Sequence, residues 1–290
     1  MPVDSSMVGS TTGAIAAEVD ERWSMAYAAG LGDALACYLD TRRTAGIVAH
    51  PLFPVCFEWP AATSLRAKHR ASVSAAEAAR GVHATQHTMI HRLVRPPERL
   101  LTTATIAGIE RRKPGVYELT TFETVDAAGA AVCTTYNGTI YRQVELSGPD
   151  RPSGHLPPAT LAALPARPRA ELKVPVVAVA AHVYTECARI WNPIHTDAAV
   201  AARVGLPAII LHGTATLALS ISRIVEEELG NDPERVAEIY GRFGAMVLMP
   251  SAITVRVLTR EKLAAGETIF FETLTQEGGR AVRDGVVRLR

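Results

Sequence analysis

The hydrophobic pattern divides the chain into two halves that follow the same plan. Late in each half, β-branched and aromatic residues alternate with polar ones in three segments that Gly or Pro separates. Such alternation predicts half-buried antiparallel strands. The segments are LLTTATIAGIE, VYELTTFETV and AVCTTYNGTIYR in the first half, and AITVRVLT, ETIFFETLT and AVRDGVVRLR in the second.

A helical pattern precedes these strands and is clearest in the second half. Residues Thr214 to Glu228, TATLALSISRIVEEE, have a wide apolar face and end in a charged turn. Gly230 follows, a residue suited to a helix C-terminus. Each half is therefore predicted to form one long central helix followed by a curved antiparallel sheet that wraps it, which is a duplicated α+β architecture.

A Pro-rich segment, SGPDRPSGHLPPATLAALPARPRAELK, separates the halves and is predicted to be a linker. The predicted organisation is a first repeat over residues 1–146, the linker over 147–173 and a second repeat over 174–290. Tyr27 to Asp33 aligns with Tyr184 to Ile190, and each stretch precedes an apolar run containing a histidine, GIVAHPLF or PAIILHGT. The order of these features indicates a weak internal repeat.

Composition narrows the class of protein. The 290 residues are 48% hydrophobic and 20% charged with a net charge of +1, so no general electrostatic bias favours nucleic acid or an anionic membrane. We find no uninterrupted apolar run of membrane-spanning length and no signal-peptide pattern, and therefore expect a soluble, unexported protein. The four scattered cysteines lack CxxC spacing and suit a reducing cytoplasm: Cys37, Cys56, Cys133 and Cys187.

The stretch WNPIHTD, Trp191 to Asp197, has the character of a rigid functional turn. Pro193 has a fixed φ and disfavours helical backbone at Asn192, so the turn can direct His195 into a cavity. Asp197 is expected to cap a short helix, AAVAARVG, that closes at Gly205.

Taken together, Tyr184, the run WNPIH, Asp197 and the later Leu211-His212-Gly213 before an apolar helix resemble the type 2 enoyl-CoA hydratases and MaoC-like dehydratases. The first half resembles the degenerate N-terminal repeat of that family, with HPLFPVCFEWP and HATQHTMIHRLVRPPERLLTTATI in the expected order. The resemblance covers nearly the whole chain and implies a double hot-dog fold, with the substrate thioester in a tunnel between the two units.

The resemblance also implies roles for individual residues. His195 would be the catalytic acid-base group and Asn192 would orient substrate or water. Gly213 would supply helix N-terminal N–H groups to a thioester oxygen that develops negative charge, with His212 and Tyr184 beside it. CoA or a carrier-protein phosphopantetheine would carry the substrate and is not a cofactor. We predict no cofactor, and a homodimer.

One position departs from the family motif. The acidic residue expected five positions before the catalytic histidine falls on Ile190. Replacement groups are Glu186, one helical turn earlier, Arg189, and Asp33, the repeat-equivalent of Ile190. For each of these charges, simple solvation is the alternative.

Structural alternatives also remain for the motif residues. His195 could be satisfied by backbone carbonyls in a loop, Asn192 could serve only its own turn, and His212 with Gly213 could be only a helix start.

The sequence gives less support to metal, redox or nucleotide chemistry. His83, His87 and His91 recur every fourth residue and would share a face, which leaves open zinc binding or a strand that lines an interface. No nearby Cys or acidic residue completes a ligand set, so we predict no metal. The chain has no GxGxxG or GxxxxGKS fingerprint, and no redox cofactor or NTP is implied.

Three functional hypotheses follow. The first is a hydratase/dehydratase-type lyase whose chemistry has shifted to elimination, double-bond migration or ring closure because the acid is missing. The second is an ordinary hydratase in which Glu186 or another polar group replaces the acid. The third is a non-catalytic hot-dog protein that binds an acyl ligand or supports an active partner subunit.

Overall fold

The computed structural model describes residues 3–69, 74–264 and 266–290. The strands of the first half are β1 (Val3–Asp4), β2 (Ile15–Val19), β3 (Gly81–Ile90), β4 (Glu98–Arg112), β5 (Gly115–Asp126), β6 (Ala131–Arg142) and β7 (Leu146–Ser147). Its α-helices are α1 (Glu21–Gly30), α2 (Ala36–Leu39), α3 (Pro54–Lys68) and α4 (Ala75–Ala78).

The second half repeats this succession of elements. Its strands are β8 (Ala170–Val176), β9 (Val236–Phe243), β10 (Ser251–Leu263), β11 (Gly266–Leu274) and β12 (Arg280–Leu289). Its α-helices are α5 (Ala180–Ala188), α6 (Ala198–Arg203) and α7 (Gly213–Leu229). The six predicted strand segments lie within β4 to β6 and β10 to β12 to within one residue, so that prediction is confirmed.

Ten strands of the described chain form one sheet in the order β2-β4-β5-β6-β3-β9-β12-β11-β10-β8. The order within each half is the same, and the halves join where β3 pairs antiparallel with β9, from Thr85 opposite Arg242 to Met89 opposite Glu238. The duplicated α+β architecture is therefore confirmed. The alternation rule does not reveal the central strand β9, because that strand is buried on both faces over most of its length.

Helix α7 forms the centre of the second half. Leu217, Ile221 and Ile224 are fully buried on it and belong to the same apolar cluster as the inward side chains of β10 and β11. Each such side chain stabilises the fold by roughly 1.5–3 kcal/mol when it leaves water. The helix ends as predicted at Gly230, whose φ of 64° is the left-handed conformation that glycine adopts without strain.

Helices α1 and α5 bring the two repeats together. The hydroxyl oxygens of Tyr27 and Tyr184, which the repeat aligns, lie 3.4 Å apart, and the Trp23 indole N–H donates to the Cys187 carbonyl at 3.1 Å. A side chain at Gly30 would lie 2.9 Å from the Cys187 side chain, so only glycine permits this close packing. The aligned tyrosines thus meet at the junction of the repeats.

The segment between the halves crosses one face of the sheet, and we call residues 148–169 the strap. It contains no helix or strand apart from a bridge between Arg151 and Ile109. Strand β8 begins at Ala170, within the segment predicted as linker. On β5, Val116 packs against α3 whereas the next residue, Tyr117, points to the opposite face, so the strap lies on the face away from the helices.

Among the residues that the structure describes, no helix combines the length and the apolar character needed to cross a bilayer.

Candidate active site

The turn that carries His195 is built from local rules. Asn192 has extended backbone (φ −124°, ψ 112°), as predicted for a residue before proline, and Pro193 to His195 form a 3-10 turn. The Asn192 side-chain oxygen accepts from the Ile194 N–H at 3.5 Å, whereas its amide group makes no hydrogen bond within the described residues. Asp197 caps α6 through the N–H groups of the next turn, also as predicted.

His195 is held in a defined tautomer. Only 9% of the residue is exposed, and its Nδ1 lies 2.8 Å from the Ile210 carbonyl oxygen. A carbonyl can only accept, so Nδ1 carries the proton and Nε2 of the neutral ring keeps its lone pair. Burial lowers the pKa of His195 to about 4, partly offset by the Ile210 carbonyl. Near neutral pH the ring is therefore a proton acceptor.

His212 stacks on His195. The two ring centroids lie 3.7 Å apart with planes 25° from parallel, and His212 is only 3% exposed. Its Nε2 lies 3.2 Å from the Thr185 hydroxyl, whereas its Nδ1 is buried without a well-aligned hydrogen bond. Burial, and then the neighbouring His195, lower the pKa of His212 to about 2. The pair is thus two neutral imidazoles in contact.

Main-chain contacts fix the segment that precedes His212. The Leu211 N–H donates to the Val247 carbonyl at 2.9 Å, and Ile210 forms a bridge with Leu248. His212 follows directly as the N-cap of α7, and a side chain at Gly213 would approach the Phe243 ring at 3.1 Å. The Gly213 N–H is one of the first in the helix and makes no hydrogen bond within the described residues.

Tyr184 supports the pair from the α5 side. Its ring centroid lies 4.9 Å from that of His212, and its hydroxyl is near that of Tyr27. Tyr184 is 2% exposed, and burial raises its pKa above the ordinary value. The hydroxyl therefore remains protonated and is able to donate.

Ile190 is a core residue. It is 6% exposed and belongs to the main apolar cluster, and its N–H donates to the Thr185 carbonyl at 3.1 Å. Arg189 ends α5 in the left-handed conformation with φ 57°. Within the described chain, no carboxylate contacts either histidine of the pair, so the position left by the missing acid is occupied by hydrocarbon.

The suggested replacement groups do not reach the pair. Glu186 is exposed on α5, while its neighbour Thr185 is the residue that turns inward to His212. The Arg189 guanidinium lies over the Trp23 ring at 4.1 Å. Thr185 thus contacts His212, which the sequence interpretation missed. The only sign of this contact in the sequence was the position of Thr185 beside Tyr184 on an apolar helix face.

Asp33 lies apart from the histidine pair, where the first repeat meets Ser222 of α7. It is fully buried, its Oδ1 accepts from the Leu35 N–H at 3.3 Å, and burial raises its pKa. Tyr38 follows it at the same five-residue spacing that separates Ile190 from His195. At these two motif positions the first repeat therefore has the carboxylate but a tyrosine in place of the histidine. The second repeat has the histidine but an isoleucine in place of the carboxylate. Asp33 and His195 form no hydrogen bond with each other.

The three regularly spaced histidines have different partners. His83 Nε2 lies 2.9 Å from the Asn137 side chain, His87 Nε2 lies 2.6 Å from Glu238, and His91 contacts the Thr134 hydroxyl. Among the residues described, no group of three or more His, Cys, Asp or Glu side chains is arranged to hold a metal ion. His83 and His87 lie on β3 near the junction of the two half-sheets, whereas His91 follows β3 and contacts β6.

The fold relates the chain to known proteins. A MaoC-like dehydratase from Phytophthora capsici superposes with a TM-score of 0.85 at 19% identity, over 98% of this chain and 96% of that chain. A Mycobacterium tuberculosis protein described as having a double hotdog fold superposes with a TM-score of 0.61 at 15% identity, over 97% and 96% of the two chains. The chain is therefore a double hot-dog protein, as the sequence predicted.

Two family descriptions match the halves of the chain. Residues 161–279 match the MaoC like domain, and residues 6–135 match the FAS1-like, dehydratase domain region. Residues 161–279 thus form a MaoC-like dehydratase domain, and residues 6–135 form a FAS1-like dehydratase region.

A curated relative adds a narrower match. The peroxisomal enoyl-CoA hydratase 2 of Arabidopsis thaliana is 31% identical over 100 residues, which are 34% of this chain and 31% of that protein. The chain thus spans about a third of the length of the curated relative that it matches.

Proposed function

We propose that this chain is a hydratase/dehydratase-type lyase that acts on an acyl thioester, carried by CoA or a carrier protein, with His195 as the general acid-base group. The observation that carries the proposal is the His195 ring, whose protonated Nδ1 is bound to the Ile210 carbonyl so that Nε2 is free to accept a proton. The dehydratase family descriptions and the enoyl-CoA hydratase name of the Arabidopsis relative support this class of substrate.

The reaction can proceed with a single base. In the dehydration direction, Nε2 of His195 removes the α-proton of a 3-hydroxyacyl thioester, and the electrons move to the thioester oxygen. The Gly213 N–H, at the start of α7, stabilises that oxygen as negative charge develops. The imidazolium then returns its proton to the leaving hydroxyl, which departs as water and leaves a 2-enoyl thioester.

The neighbouring residues have supporting roles in this proposal. His212 packs against the His195 ring and holds its plane, while Thr185 and Tyr184 position His212. Asn192 uses its side-chain oxygen for the turn and has its amide donors left for substrate or water. Glu186 is exposed on α5, and this proposal gives it no role in the proton transfer.

The missing carboxylate shapes the reaction. Positioned proton transfer is worth about 10²- to 10⁴-fold in rate, and hydration needs a water molecule that is both oriented and deprotonated. Ile190 provides no second acceptor to orient that water, so hydration and its reverse, dehydration, both depend on His195 alone and are expected to be slow. Double-bond migration, elimination of a good leaving group and ring closure by a tethered hydroxyl each need only one base, and they are the altered chemistry that we propose for this site.

The test replaces His195 with Asn, whose amide keeps a donor for the Ile210 carbonyl. Turnover of 2-enoyl, 3-enoyl and 3-hydroxyacyl thioesters is followed by mass spectrometry in deuterated water, which reports proton exchange as well as product. We expect kcat/KM to fall by about 10²-fold or more for any substrate that the parent converts. The exposed His91→Asn is the matched control, and unchanged turnover in His195→Asn would exclude the proposed role.

A second variant addresses the missing acid. Ile190→Asp places a carboxylate at the motif position, and Ile190→Asn is the matched control of similar size without the charge. We expect Asp, but not Asn, to raise hydration of a 2-enoyl thioester relative to isomerisation. Equal ratios in the two variants would show that the acid position does not decide the reaction.

A non-catalytic acyl-binding or partner protein is the alternative, and the hydrocarbon at Ile190 favours it. The same thioester panel separates the two functions, because binding measured by calorimetry without turnover or deuterium exchange would support the alternative.

A homodimer also belongs to the proposal, and light scattering, which measures the mass of the particle in solution, tests it. The cytoplasmic location stays a prediction from the scattered, unpaired cysteines.

A further inference from the structure

A cavity of about 420 Å³ lies between the strap and the face of the sheet away from the helices. We call it the outer-face cavity. Its floor comes from β3, β4, β5, β6 and β9, and its roof is residues 152–157 of the strap. The His195 and His212 side chains do not line it. The volume lies within the range of about 300–1,000 Å³ that small-molecule sites occupy.

The strap is fitted closely onto the sheet beside this cavity. A side chain at Gly108 would clash with the Ser153 main chain, so the two backbones touch. The Arg151 and Ile109 main chains exchange hydrogen bonds of 2.8 Å, and Leu161 packs on the apolar residues of the same face. The roof is therefore held by specific contacts.

A chain of hydrogen bonds runs from the core into the cavity. The Glu238 carboxylate, 7% exposed, accepts from Arg288 and lies 2.6 Å from His87 Nε2. On the other side of the ring, His87 Nδ1 lies 3.0 Å from His155 Nε2. His155 belongs to the strap, so this chain also ties the roof to the sheet.

The charged groups in this chain of hydrogen bonds determine where the protons lie. Burial raises the pKa of Glu238, but the His87 and Arg288 contacts outweigh burial and hold it below the ordinary value. Glu238 is thus a carboxylate and only accepts, so His87 Nε2 carries a proton. In a neutral His87 ring whose Nε2 carries the proton, Nδ1 can only accept, and His155 Nε2 donates to it.

His155 is the last member of this chain of hydrogen bonds, and its Nδ1 is an open acceptor. Its Nε2 holds the ring's proton, and burial lowers the pKa of His155 to about 4. Its Nδ1 has no hydrogen-bond partner within the described residues, and the half-buried ring stacks on Tyr136 at 3.7 Å between centroids. Tyr240 supplies a further aromatic wall of the cavity, and Tyr117 lines the cavity with the Arg112 guanidinium 3.6 Å from its ring centroid.

The charged groups at the cavity balance one another. The Arg112 guanidinium pairs with Glu110 at 2.6 Å, and Arg242 pairs with Asp284 at 3.1 Å. Each arginine is about half exposed and already has its own carboxylate. The cavity thus favours neither an anion nor a cation, and selects for shape and for a hydrogen-bond donor.

We propose that the outer-face cavity is a binding site for a neutral phenol-class ligand, whose hydroxyl donates to His155 Nδ1 and whose ring packs among Tyr117, Tyr136 and Tyr240. The Glu238-His87-His155 chain makes that nitrogen an acceptor, and the aromatic walls suit a flat apolar ring. This site is independent of the chemistry at His195.

The test compares 2-naphthol with 2-methoxynaphthalene, which has the same ring system but no hydroxyl donor. Binding to the full chain is measured by isothermal titration calorimetry at pH 7. We expect 2-naphthol to bind with one-to-one stoichiometry and about three- to tenfold more tightly than the methoxy compound, the value of one hydrogen bond. His155→Phe keeps an aromatic ring on Tyr136 and should remove that difference.

His91→Phe is the matched histidine control, and His195→Asn tests for binding at the other site. Both should bind 2-naphthol like the parent. The proposal is overturned if 2-naphthol shows no saturable binding, if the two probes bind equally to the parent, if His155→Phe retains the preference, or if His195→Asn abolishes binding.

Discussion

The neutral state of the buried His195 makes the stability of the fold depend on pH. In the unfolded chain a histidine has a pKa of 6.5, whereas burial lowers the pKa of His195 to about 4. As the pH falls below 6.5, the unfolded chain takes up the proton and the folded protein does not. The stability contributed by this group is therefore complete above pH 6.5 and is lost progressively as the pH falls towards 4.

The two pKa values give the size of the effect. At pH 5 the unfolded chain gains about 2 kcal/mol relative to the folded protein, and well below pH 4 the full difference is about 3 kcal/mol. His195→Asn removes this ionisation while keeping a donor for the Ile210 carbonyl. The variant should lose about 2 kcal/mol less than the parent between pH 8 and pH 5, although other buried histidines such as His50 still contribute to the slope.

The assay is urea unfolding at pH 8, 7, 6 and 5, followed by tryptophan fluorescence and fitted to the free energy of unfolding. The exposed His91→Asn serves as control and should follow the parent at every pH. If His195→Asn loses as much stability on acidification as the parent does, the ring is not buried in the neutral state. The single-base mechanism would then lose its physical basis.

Further consequences concern packing around the pair and between the repeats. Thr185→Val removes the hydroxyl that lies 3.2 Å from His212 Nε2; we expect a loss of about 1–3 kcal/mol in urea unfolding, whereas Thr185→Ser should retain most of the stability. Equal losses in the two variants would assign the effect to packing. Gly30→Ala inserts a methyl group 2.9 Å from the facing cysteine of α5 and should cost about 1–3 kcal/mol, while Gly13→Ala, with nothing within 4 Å, should change the midpoint little. Similar midpoints for the two alanine variants would contradict the close packing of α1 on α5.

The fold was largely predictable because its signals are repeated and local. The alternation in β4 and β10 follows one buried and one less buried face, and the end of α7 depends on a glycine at φ 64°. The alternation rule did not identify the central strands β3 and β9. Polar residues interrupt the pattern in β3, and β9 is buried on both faces over most of its length. Their pairing joins the repeats, and only the assembled sheet reveals it.

The candidate site was predictable only in part. The motif located His195, and local rules explain Asn192 and Asp197. The same spacing suggested Glu186 as a replacement acid because it lies one turn before Ile190. In the structure α5 directs that side chain outward and turns Thr185 inward, a difference of one residue that helical spacing alone does not decide.

The sequence by itself determined the turn at Pro193, the caps at Asp197 and Gly230, the alternating strands and the absence of the motif acid, because each depends on neighbours along the chain. Tertiary structure alone decided which tautomer His195 holds, that His212 stacks on it, and that Ile190 is enclosed in hydrocarbon. It also decided that His155 of the strap meets His87 across 68 residues of sequence. These contacts join distant segments, and burial and hydrogen-bond geometry at such contacts arise only when the repeats pack together.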